Sequence, residues 1–90
     1  MTGAPDEAAF LTMFREVARA ADRKHRELAV PEAATELAAL GLDSFTLMEI
    51  LGRLEERLGV SLSDERIAAL RTVGDVRVAF TAALESPDGG

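Results

Sequence analysis

A chain of 90 residues, 48% of them apolar, buries one small core and no more. Without cysteine it has neither a disulfide framework nor a thiolate metal site, and its apolar runs are too short to span a membrane. A net charge of −6 argues against a nucleic-acid binder, because phosphate backbones select lysine and arginine; such a domain is steered towards basic protein surfaces, or is simply kept soluble by its acidity.

With four Phe and no Trp or Tyr, the core has to be built from aliphatic side chains, which suits packed helices. One domain over residues 1–90 is expected, ordered from about residue 6 to 85, with frayed ends at 1–5 and 86–90 that are rich in Gly, Pro and small polar residues. Met1–Glu7 lacks the basic and apolar segments of a signal peptide, so a cytoplasmic protein is expected. The start at Met1 and the short ends suggest a discrete protein, with a domain excised from a larger chain as the alternative.

The first helix is predicted from Asp6 to Lys24, with Phe10, Phe14, Val17 and Ala21 on one face. Its far end is basic (Arg19, Arg23, Lys24, Arg26), which complements the negative end of a helix dipole. A long connection runs to Gly41, with a turn or two over Thr35–Ala39 that tucks Leu37 and Leu40 inward. The second helix starts at Asp43 or Ser44 and stops at Gly59. A short third helix is predicted over Asp64–Leu70 with Ser63 as its N-cap. A fourth follows from Thr72-Val73-Gly74-Asp75, capped by Thr72, with Val73, Val76, Phe80 and Leu84 buried. No segment alternates with period two. The fold class is all-α, a small four-helix bundle.

The second helix carries more apolar surface than its core face needs. At about 100° per residue, Leu47, Ile50, Leu51, Leu54 and Leu58 share one arc. Ser44, Phe45 and Met48 lie outside it, on the side of Glu49, Gly52, Glu55 and Glu56. Apolar residues rimmed by charge resemble a protein-docking surface. Phe45 is expected instead to fold back over the end of the bundle, while Met48 inclines to the docking role. Gly52 costs about 1 kcal/mol against Ala within a helix, so it either leaves room for a partner or cargo arm or is a tolerated cost. Ser44 sits where free N–H groups and the positive dipole end suit an attached phosphodiester, although a serine there is ordinarily an N-cap.

Leu40-Gly41-Leu42-Asp43-Ser44-Phe45, with the amphipathic helix after it, resembles the phosphopantetheine attachment motif of acyl carrier proteins, Gly-x-Asp-Ser-Leu. Gly41, Asp43 and Ser44 match, and Phe45 replaces the usual Leu. Glu49, Glu55 and Glu56 fall where the family places acidic residues that meet partner enzymes. Leu62-Ser63-Asp64-Glu65 and Thr72-Val73-Gly74-Asp75 resemble the starts of its third and fourth helices, so the likeness runs from Phe10 to Leu84. It implies a covalent 4'-phosphopantetheine arm on Ser44, taken from coenzyme A by a phosphopantetheinyl transferase, with Asp43 as the adjacent motif residue. The arm would hold acyl groups as thioesters for acyltransferases, ketosynthases or other acyl-handling enzymes. Phe45, Met48, Glu49, Gly52, Glu55 and Glu56 would form the docking surface of a monomeric, non-catalytic carrier. Arg53 and Arg57 depart from the most acidic members, and Arg53 is within reach of both Glu49 and Glu56.

An enzyme reading finds little support. Ser44 lacks a Gly-x-Ser-x-Gly setting, His25 sits in a basic run, and no Gly-rich phosphate loop or His/Cys metal cluster occurs. An aminoacyl or peptidyl carrier, a fatty-acid synthesis carrier and an unmodified helical adaptor remain alternatives. A composition rich in Ala, Arg, Gly and Leu, with Lys24 the one lysine, fits a high-GC genome. With Phe45 and the helix-two arginines, it favours specialised metabolism such as polyketide assembly.

Overall fold

Asp6 begins the first helix by accepting the Ala9 N–H on its side chain at 2.8 Å, and α1 (Glu7–Ala21) follows with Phe10, Phe14, Val17, Ala18 and Ala21 buried. The computed structural model describes residues 5–22 and 30–85. The helix ends earlier than the periodicity predicts, because Asp22 leaves helical geometry for extended backbone. Arg23, Lys24, His25 and Arg26 lie outside the described residues, as do the two chain ends.

The 33–37 segment lies against the start of the last helix, where the Leu37 N–H donates to the Arg71 carbonyl, the Val73 N–H to Thr35 and the Gly74 N–H to Ala33. Glu36 and Thr72 form an isolated antiparallel bridge there. The predicted turn at Thr35–Ala39 appears slightly later, as a 3-10 turn, α2 (Leu37–Leu40). Thr35 is held back from it because its hydroxyl accepts the Glu32 N–H and its carbonyl serves Val73. Leu37 is buried and Leu40 half-buried.

α3 (Ser44–Leu58) ends at Gly59 in left-handed geometry, φ 74°. α4 (Asp64–Ala68) is capped by the Ser63 hydroxyl and is shorter than predicted, since its last turn tightens into i→i+3 bonds from Ala69 and Leu70. α5 (Val73–Glu85) opens with a reciprocal cap: the Asp75 N–H donates to Thr72 Oγ1, while the Asp75 carboxylate accepts the Thr72 and Arg71 N–H groups. It buries Val73, Val76, Ala79 and Phe80; Leu84, expected on this stripe, lies in the last turn and is only partly covered, with Ala79 completing the inward face.

α1 packs on α3 and α5, and the Phe10 ring sits between Phe14 and Phe80, 6.4 Å from each ring centre. Burying such side chains contributes about 1.5–3 kcal/mol apiece, so three phenylalanines and the aliphatics around them hold a fold with no covalent staple. Four α-helices and one 3-10 turn make the described architecture, all-α as the sequence implies. Among the described residues no helix is long and apolar enough to cross a membrane.

Candidate functional site

The turn into α3 explains the order of residues in Gly41-Leu42-Asp43-Ser44. Gly41 closes the 3-10 turn with φ 72°, a conformation that costs a side-chain-bearing residue, and so reverses the chain. Asp43 is the N-cap: its backbone is extended and its Oδ1 accepts the Thr46 N–H at 2.7 Å. Ser44 is therefore the first helical residue and not the cap, and its exposed hydroxyl is left out of the capping bond. The ordinary role of a serine at a helix start is filled by its neighbour.

The helix start also carries the right field for an anion. The aligned peptide dipoles make it electropositive, and the first turn contains no acidic side chain. A phosphodiester on Ser44 would sit at that end. Two turns further along α3 the space in front of Gly52 is open, with no atom within 4 Å of the position its Cβ would take. These residues fit a phosphopantetheine group.

The remaining face of α3 differs in several respects from its sequence reading. Phe45 does not fold back over the bundle; it is 68% exposed, because it points opposite to the buried side of the helix. Met48 is 50% exposed, one turn further on. On the inner face, Ile50, Leu51 and Leu54 are buried as predicted, while Leu47 and Leu58 are half-covered and Thr46 joins the buried set.

The charged residues are engaged with one another. Glu49 accepts from Arg53 at 2.9 Å, and Arg57 reaches Glu16 of α1 at 3.5 Å. Of the two carboxylates predicted within reach of Arg53, Glu49 is the one that pairs. Glu55 Oε2 accepts the Leu62 N–H at 2.8 Å, tying the end of α3 to the loop before α4. Sequence reasoning missed this bond, since the partners are seven residues apart and neither belongs to a capping pattern. Glu56 is exposed. Ser44, Phe45, Met48, Glu49, Gly52, Glu55 and Glu56 are thus brought together along one helix, with Asp43 at its head.

Residues 10–77 match the family described as phosphopantetheine attachment site, and the chain belongs to that family as one of the acyl carrier proteins. Phosphopantetheine is accordingly its cofactor, and the family's members are carriers that serve acyl-handling enzymes. The chain is 48% identical over 46 residues to a meromycolate extension acyl carrier protein of Mycolicibacterium aurum, a match covering 51% of this chain and 46% of that one. An acyl carrier protein of Rhodococcus erythropolis is 45% identical over 47 residues, 52% of this chain and 50% of its own. The chain thus spans about half the length of these curated relatives. In three dimensions it matches the solution structure of the acetyl actinorhodin acyl carrier protein from Streptomyces coelicolor, with TM-score 0.71 and 23% identity over 86% of this chain and 92% of that one. That likeness concerns the fold.

Proposed function

We propose that Ser44 is the attachment residue and that the protein carries acyl groups on an arm fixed there. The observation that carries this reading is the division of labour at the head of α3, where Asp43 makes the cap and leaves the exposed Ser44 hydroxyl to a modifying enzyme. The bound arm supplies a terminal thiol that holds the cargo as a thioester. This chain's own residues do the rest. The α3 dipole and N–H groups stabilise the phosphodiester end, Gly41 sets the turn that presents it, and the packed core fixes its position. The enzymes gain effective concentration from the tether, and the chemistry proceeds on them, with no catalytic residue supplied by the carrier.

Its partners, on this reading, are a phosphopantetheinyl transferase and acyltransferases, ketosynthases or other acyl-handling enzymes, met on the α3 face around Phe45, Met48 and Gly52. The names of the relatives support an acyl cargo over an aminoacyl one. Arg53 and Arg57 on α3, with the aromatic at Phe45, favour assembly of a specialised product such as a polyketide. Extension of a long acyl chain is the second reading, favoured by the 48% identity to the meromycolate extension carrier.

The test is peptide mapping after incubation with coenzyme A and a broad-specificity transferase. Fragment ions should place the whole modification on Ser44 within the tryptic peptide that ends at Arg53. Modification at Thr46 or Thr35, or none on the folded protein, contradicts the reading.

A further inference from the structure

The packing of α3 does not by itself fix Ser44. Ser44 and Phe45 are exposed, and burial on the helix begins with Thr46, so the head of α3 owes its position to the chain that leads into it. That chain is Gly41, turned back at φ 72°, and the four-residue α2. A 3-10 turn of this length has poor hydrogen-bond geometry, and the bond from the Gly41 N–H to the Ala38 carbonyl that closes it is 3.5 Å long. Leu37 is buried, and the rest of α2 is exposed or half-covered. Such a turn needs an outside hold.

The head of α5 supplies it. The Leu37 N–H meets the Arg71 carbonyl at 2.8 Å, the Val73 N–H meets the Thr35 carbonyl at 2.9 Å, and the Gly74 N–H meets the Ala33 carbonyl at 2.8 Å, all shorter than the bond that closes α2. The peptide unit between Arg71 and Thr72 is the hub of this clasp. Its carbonyl accepts from Leu37, while its N–H donates to the Asp75 carboxylate at 3.1 Å. In a trans peptide these two groups point in opposite directions, so the unit is gripped from both ends and each bond polarises the other. The same Asp75 Oδ2 accepts the Arg71 N–H at 3.0 Å. Asp75 thus aims the Arg71 carbonyl at Leu37, and Gly74, having no Cβ, lets the Ala33 carbonyl close in.

We infer that Asp75 and Gly74 are positioning residues for the modification of Ser44: through the clasp they hold α2 and Gly41 in the arrangement that presents the serine hydroxyl. They act through Leu37 and the turn after it. Opening of the clasp is a local event that leaves the α1–α3 core packed and lets the Ser44 turn move out of place. The fraction of carrier with the clasp closed sets the apparent affinity of a modifying enzyme, so weakening the clasp raises KM and leaves kcat near its wild-type value. The inference rests on the reading of Ser44 as the modified residue.

The experiment measures KM and kcat of a broad-specificity phosphopantetheinyl transferase for the carrier, with saturating coenzyme A, on wild type, Gly74→Ala, Asp75→Ala and Asp75→Asn. Asp6→Ala is the matched control: it deletes a cap of the same kind, on the Ala9 N–H of α1, which takes no part in the clasp. Asp75→Ala and Gly74→Ala should raise KM about three- to tenfold with kcat held, and Asp6→Ala should keep the wild-type KM. Asp75→Asn, whose amide oxygen still accepts an N–H, should recover most of the wild-type KM. Amide exchange followed by NMR gives a readout apart from activity. The Thr46 N–H, in the first turn of α3, should exchange about fivefold faster in Asp75→Ala and at the wild-type rate in Asp6→Ala. A wild-type KM in both Gly74→Ala and Asp75→Ala, an equal rise in Asp6→Ala, or a Thr46 amide indifferent to Asp75 overturns the positioning role, while an adduct on Ser44 leaves the attachment reading standing. Absence of any adduct on the wild-type protein overturns both.

Discussion

Alanine in place of glycine has opposite consequences at two sites of this fold. A Cβ at Gly74 would stand 2.8 Å from the Ala33 carbonyl oxygen and 3.2 Å from the Ala33 Cβ, whereas a Cβ at Gly52 would meet nothing within 4 Å. At Gly74 the obstructing oxygen is backbone, and it is also the acceptor of the Gly74 N–H at 2.8 Å. Relieving the clash therefore pulls the 33–37 segment from the head of α5, together with the bonds from Leu37 to Arg71 and from Val73 to Thr35. Overpacking of this kind costs about 1–3 kcal/mol, and each weakened hydrogen bond adds about 1 kcal/mol. The gain in helix propensity offsets less than about 1 kcal/mol, since Gly74 lies in the first turn. With one of these bonds lost, the net cost of roughly 1–3 kcal/mol lowers Tm by about 4–8 °C per kcal/mol in a domain of this size. Gly52→Ala, in mid-helix with open space, should instead gain up to about 1 kcal/mol and raise Tm by a few degrees. Thermal melts followed at the helical circular-dichroism band read both. A Gly74→Ala variant as stable as wild type, or a Gly52→Ala variant less stable, refutes the reasoning.

The caps and tethers give further expectations. Asp43→Ala removes the acceptor of the Thr46 N–H and should cost about 1 kcal/mol in urea denaturation, with Asp43→Asn losing less. Glu55→Ala leaves the Leu62 N–H without its carboxylate and should cost about 1–2 kcal/mol; an unchanged urea midpoint would show the tether to be idle. The Asp75 carboxyl is held below the ordinary aspartate value, first by the Arg71 N–H and then by that of Thr72. A folded pKa below the unfolded one means that its stabilising contribution is complete above the ordinary value and is lost as pH falls through the folded one. Urea midpoints taken between about pH 6 and pH 2.5 should therefore fall less steeply for Asp75→Asn than for wild type, and parallel curves would contradict the cap.

What the sequence made legible were the local features. Ser63 and Thr72 cap their helices as the residue types imply, Gly59 stops its helix in left-handed geometry, and Phe10, Phe14, Val76 and Phe80 are buried at the predicted spacing. What remained hidden depends on distant partners. The Glu55–Leu62 bond and the bridge from Glu36 to Thr72 join segments whose proximity no periodicity encodes. The need for glycine at position 74 appears only once Ala33 is seen beside it. At the site, sequence pattern marked the stretch around Ser44 but left the cap ambiguous between Asp43 and Ser44, since either side chain is able to accept the N–H. The extended backbone at Asp43 decides it. Phe45 was misread because a phenylalanine beside a core stripe ordinarily finds cover, and here the helix turns it outward.

The central claim is that the exposed hydroxyl at the head of α3 holds the prosthetic arm. Intact-mass spectrometry of the protein treated with coenzyme A and a broad-specificity transferase, beside Ser44→Ala, tests it most directly. One phosphopantetheine added to wild type and none to the variant, with both showing the same helical circular dichroism, is the predicted result. An adduct that persists in Ser44→Ala, or a folded wild-type protein that takes none from a transferase active on another carrier, would contradict it.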